Sequence, residues 1–145
     1  MPYELITKAL PTIEGEVNNI LSQLVDFQMV FEMDGKNINN FIVYDDDNIW
    51  PLELSSGMER FISSLAIRVG LINVSNLPRS NFLAIDEGWG TMDSDNLNSV
   101  YSLFQYLKSQ FQFTLIVSHI DSMRDAVDTL LEVKKEKGFS NIIFD

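Results

Sequence analysis

Two short, unbroken apolar runs, each followed by a polar pair, constrain this chain most. Phe82 to Ile85 leads into Asp86-Glu87, and Thr114 to Val117 leads into Ser118-His119. Runs so short and so apolar read as strands buried on both faces. Between them Leu97, Val100, Tyr101, Phe104, Leu107 and Phe111 recur at helical spacing. Strand, helix, strand makes a βαβ unit, which requires parallel pairing and a right-handed crossover. The expected class is α/β, and in a parallel sheet ligands collect outside the carboxyl ends of the strands. Both polar pairs stand there.

The flanking sequence fits around this core without a linker or internal repeat. Residues 4 to 25 carry Leu5, Leu10, Ile13, Val17, Ile20, Leu21 and Leu24 as a helical stripe, interrupted at Pro11. Phe27, Met29, Phe31 and Met33 alternate as a half-buried strand, Asp34-Gly35 signals a hairpin turn, and Phe41 to Tyr44 returns. Asp45, Asp46 and Asp47 then read as a solvated loop. From Ser56 the period becomes helical, with Phe61, Ile62, Leu65, Ala66, Val69 and Ile72 on one stripe. Ser56 and Glu59 have the Ser-x-x-Glu spacing of a capping box. A short helix over 121–127 is expected next, and then a closing hairpin of strands 129–133 and 141–144 around a Lys/Gly turn.

Composition removes whole classes of function. There is no cysteine and one histidine, His119, which excludes disulfide scaffolds, thiol nucleophiles and Cys- or His-rich metal sites. Ten Lys/Arg against 21 Asp/Glu leave a net charge of −11, so the chain alone is a poor partner for a polyphosphate backbone. Lys134, Lys135 and Lys137, interrupted by Glu136, read as a solvated turn. The apolar runs are too short to span a membrane and no signal segment opens the chain, so a soluble, intracellular protein is expected.

An apolar strand ending in Asp-Glu suits a metal–nucleotide site: the Asp can hold Mg²⁺ through water while the Glu polarises an attacking water. Asp86 could equally satisfy loop amides, and His119 could be a structural histidine. Capping alone accounts for Ser56 and Glu59, although a helix N-terminus with a hydroxyl and a glycine is also a ready anion site.

The order of the pieces narrows these choices. Leu54 to Arg60, followed by a helix, resembles the signature motif of ABC-type ATPases. Phe82 to Glu87 looks like their Walker B strand, Gly88 to Asp93 their D-loop, and Val117 to His119 their H-loop. Within that class the stretch from Glu53 to Leu71 and the run Asp86 to Asp93 resemble the SbcC-type DNA-repair ATPases, relatives of the structural-maintenance-of-chromosomes (SMC) proteins. Those proteins build one head from two ends of a long chain separated by a coiled coil, and this sequence is similar to the C-terminal end. The phosphate-binding pattern Gly-x-x-x-x-Gly-Lys-Ser/Thr is absent, because the lone Gly35-Lys36 has no glycine five residues earlier.

The resemblance implies a C-terminal half of an ABC-type head: a βαβ core with flanking hairpins over 26–145, and a coiled-coil stump over 1–25. It implies ATP and Mg²⁺ as cofactors, with Asp86 on the metal, Glu87 as base and His119 as γ-phosphate sensor. Ser56 and Gly57 would take the γ-phosphate of the opposing head, and Asp93 would couple the two sites. Implied partners are the N-terminal Walker A half, a second head in an ATP-dependent dimer, an SbcD-type nuclease, and DNA through the assembled complex. No membrane partner is implied. One departure is Met58, which occupies the second glycine position of the signature, where a side chain would crowd a close approach. Two other readings fit less of the chain: an acidic receiver-like signalling module with Lys134 as its lysine, and a structural head lobe whose ATPase has decayed.

Overall fold

The computed structural model describes residues 2–86, 97–119 and 121–144. Its first helix, α1 (Pro2–Leu21), runs through Pro11 and ends before residue 25. There the chain turns, the Leu24 and Val25 amides both donating to the Leu21 carbonyl at 2.9 Å, with Leu24 still buried. Leu5 and Ile6 are exposed near the start of α1, whereas Val17, Ile20 and Leu21 are sealed in the core.

Strands β1 (Gln28–Asp34), β2 (Asn37–Asp45) and β3 (Asn48–Pro51) form an antiparallel sheet in that order. The first hairpin turns at Gly35, whose φ of 60° is the left-handed conformation the Asp-Gly signal anticipates. Side chains of α1 bond to the outer edge of β1. Asn18 both donates to the Met29 carbonyl and accepts from the Met29 amide at 2.8 Å, and Glu14 accepts from the Phe31 amide at 2.8 Å. That protects an edge that would otherwise expose unpaired backbone.

Asp45, Asp46 and Asp47 are exposed, as the solvated-loop reading expects, and strand β3 follows them without having been anticipated from the sequence. Asp45 Oδ1 accepts from the Asp47 and Asn48 amides at 3.0 Å and from Asn48 Nδ2 at 2.8 Å, folding the acidic triplet into a tight turn. The Asn48 side chain and these amides hold the Asp45 carboxyl below its ordinary value.

Helix α2 (Gly57–Val74) packs Ile62, Leu65, Ala66 and Val69 into the core, as the stripe requires. It lies close against α1 at Gly70, where an added Cβ would stand 3.1 Å from Val17 Cγ2. Asn73 Nδ2 donates to Glu16 Oε1 at 2.6 Å across the same contact.

The βαβ unit comprises β4 (Phe82–Asp86), α3 (Leu97–Gln110) and β5 (Phe113–Val117), with β4 and β5 parallel. The buried stripe of α3 is Val100, Leu103, Phe104 and Leu107, with Tyr106 beside it; Tyr101, placed on that stripe from the sequence, is exposed. A second correction concerns the strands, which are covered on one face only. Ile85 is buried and Leu83 and Ile116 pack on the core, but Phe82, Phe113, Leu115 and Val117 are exposed on the other face. There the Phe82 and Phe113 rings stack at 5.4 Å.

Asp121–Ala126 is a 3₁₀ segment rather than the expected helix, six residues being too few to repay nucleation of an α-helix. The closing hairpin is β6 (Leu131–Glu136) and β7 (Phe139–Phe144), turning through Lys137 and Gly138 at φ 48° and 89°. Two successive positive φ values match the primed hairpin turns.

Candidate functional site

Parallel pairing sets the first half of the site. Asp86 is in register with Val117, so Ser118 and His119 follow β5 at the carboxyl end that Asp86 closes on β4. Asp86 and His119 are both exposed there. Glu87 and Asp93 lie outside the described residues. Among the described residues no three metal-ligating side chains gather. One strand-end carboxylate suits Mg²⁺, which commonly takes one or two carboxylates and fills its remaining positions with phosphate oxygens and water.

The second half is the start of α2. Ser56 is its N-cap, in extended backbone, and its Oγ accepts from the Glu59 amide at 3.2 Å. Glu59 Oε2 returns the bond by accepting from the Ser56 amide at 2.6 Å, so both arms of the capping box are made. The first helical bond runs from the Arg60 amide to the Ser56 carbonyl at 3.0 Å. The Gly57 and Met58 amides precede it and are the donors a helix start leaves over, at the positive end of the helix dipole. The Met58 side chain, in the second glycine position of the signature, is buried.

A residue that the sequence did not single out completes this arrangement. The Tyr44 hydroxyl, at the end of β2, donates to Glu59 Oε1 at 2.8 Å. Its ring centroid lies 5.5 Å from that of Phe27 and 5.4 Å from that of Trp50. Burial first, and then Glu59, push the Tyr44 hydroxyl up to about 12, so it remains a donor at neutral pH. Burial alone would raise the Glu59 carboxyl, but bonds from the Ser56 amide, Tyr44 and the Ser56 side chain hold it below its ordinary value. Beside this network opens a cleft of about 450 Å³, lined by Asp26, Tyr44, Ser56, Met58, Glu59 and Ser99 among others. Neither Asp86 nor His119 lines it. The structure thus brings Asp86 and His119 to one sheet end and sets Ser56 and Gly57 on another element.

No protein-family model matches the chain. It is 38% identical over 159 residues to an uncharacterized protein of Acanthamoeba polyphaga mimivirus, covering 99% of this chain and 12% of that protein. It is 29% identical over 116 residues to the SbcC component of the SbcCD nuclease of Staphylococcus aureus, covering 77% of this chain and 11% of the relative. The chain therefore spans about one eighth or less of the length of these relatives. Among solved structures, a chain from a study of ATP-driven dimerization and DNA-stimulated activation of SMC ATPases superposes with TM-score 0.77 at 15% identity, over 97% of this chain and 88% of that one. The SMC head domain from Thermotoga maritima superposes with TM-score 0.66 at 23% identity, over 98% of this chain and 50% of that one. At these identities the likeness is one of fold.

Proposed function

We propose, from the premise that the chain is a C-terminal ATPase lobe of the SbcC/SMC-like type, that it supplies the acidic, water-positioning half of a composite ATP site. The observation that carries this reading is the parallel β4–β5 register, which gathers Asp86, Ser118 and His119 at one end of a sheet in a sequence without a phosphate-binding loop. The phosphate cradle then comes from a Walker A half. The exposed apolar face of Phe82, Phe113, Leu115 and Val117 is the surface such a half would cover. Neither the receiver-like reading nor the decayed lobe is favoured.

In the assembled head, residues 26–145 form the lobe and 1–25 the stump of a coiled coil whose last turns, from Val17 to Leu24, pack into the lobe's core. Asp86 would hold Mg²⁺, which would supply positive charge to offset that of the phosphates. Glu87 accepts a proton from the attacking water, and His119 donates to the γ-phosphate within the same head. Ser56 and the amides after it bind the γ-phosphate carried by a second head, and Asp93 couples the two sites. ATP then joins two heads and hydrolysis releases them. In the complete protein an SbcD-type nuclease would be the partner and DNA would be met through the assembly, since this lobe carries a net charge of −11. No helix among the described residues is long and apolar enough to cross a membrane.

Titrating ATP into the isolated chain tests the division of labour. Without the Walker A amides and lysine, no saturable binding is expected in the micromolar range. Saturable micromolar binding would contradict the half-head reading.

A further inference from the structure

The Glu59 carboxylate lies at the start of the helix whose amides are to receive a phosphate. A carboxylate there favours the helix, but it is also an anion beside an anion site. Its effect depends on where its two oxygens are held. Oε2 is fixed on the Ser56 amide at 2.6 Å, and Oε1 is fixed by the Tyr44 hydroxyl at 2.8 Å. Glutamate has several rotatable bonds, so an unheld Oε1 would be free to compete for the Gly57 and Met58 amides. Tyr44 is well suited to prevent this. Its ring packs against those of Phe27 and Trp50, and its backbone lies near the end of β2, where the register with β3 shifts between Val43 and Asp45.

We propose that Tyr44 is a positioning residue for the contact between heads: by tying Glu59 Oε1 to β2, it keeps the cap carboxylate off the Gly57 and Met58 amides and leaves them open to the opposing γ-phosphate. The inference rests on the reading of Ser56 as an inter-head contact. It links the β1–β3 sheet to the geometry of that contact.

Tyr44→Phe removes the hydroxyl and keeps the ring. In full heads assembled with the Walker A half, and slowed in hydrolysis by Glu87→Gln, sedimentation at graded ATP reads dimerisation. Tyr44→Phe is expected to raise the ATP concentration for half-dimerisation about tenfold, the scale of one hydrogen bond to a charged group. ATP affinity of a single head should be unchanged, and the melting temperature should fall by less than about 4 °C. On a Glu59→Gln background, where no carboxylate competes, Tyr44→Phe should add less than about twofold. A normal ATP requirement in Tyr44→Phe, with Ser56→Arg still blocking dimerisation, would overturn the positioning role and leave the composite head standing. An equal shift on both backgrounds would also overturn it, because Glu59 would not be the intermediary. Dimerisation of Ser56→Arg would instead remove the inter-head reading on which the inference rests.

Discussion

Replacing Glu87 with glutamine is expected to lower ATP turnover of the assembled head by about 10²–10⁴-fold, the usual worth of a general base. Glutamine has nearly the same shape, so the pocket is not emptied, but it cannot accept a proton from water. ATP binding should therefore persist, and the ATP-bound dimer should outlive that of the unmodified head. In the sequence Glu87 directly follows Asp86, the last residue of β4. Single-turnover ATP hydrolysis beside equilibrium ATP binding separates the two effects. Unchanged turnover would remove Glu87 from the chemistry.

Ser56→Arg should abolish ATP-driven dimerisation while leaving ATP binding by one head nearly unchanged. The serine caps α2 at a surface assigned to the other head's γ-phosphate, where a bulky side chain blocks approach. Its effect on folding is limited. Loss of the Ser56 Oγ cap costs about 1 kcal/mol. The opposite arm of the box runs from Glu59 Oε2 to the backbone amide of residue 56 and does not need the serine side chain. Against a domain stability of roughly 5–15 kcal/mol the lobe remains folded. Thermal unfolding and sedimentation with and without ATP decide the matter. If Ser56 were only a cap, the variant would melt slightly lower and still dimerise.

What could be read in the sequence was what is encoded locally. The capping box needs four consecutive residues to agree, and Ser56 and Glu59 bond both ways as their spacing requires. The βαβ unit was legible because two apolar runs flank one helical period, and β4 and β5 pair in parallel. Glu87 and Asp93 were legible as motif positions only, outside the described residues. Strand β3 was hidden because it is four residues long and lies between Asp47 and Leu52, among turn formers and a proline. On α3 the stripe was misphased at one position: Tyr101 and Leu103 are both large and apolar enough, and packing chose Leu103. The Tyr44–Glu59 bond spans 15 residues between a strand and a helix, so no periodicity announces it. The apolar runs of β4 and β5 anticipated two covered faces where this lobe covers one. A second covered face is what the proposed Walker A half would supply.

The most direct test mixes this lobe with the matching Walker A half and follows ATP turnover against each half alone. The composite-site account predicts Mg²⁺-dependent turnover in the mixture and none above background in either half. Turnover by this lobe alone, or a stable stoichiometric complex of the two halves that binds ATP but never hydrolyses it, would contradict the account.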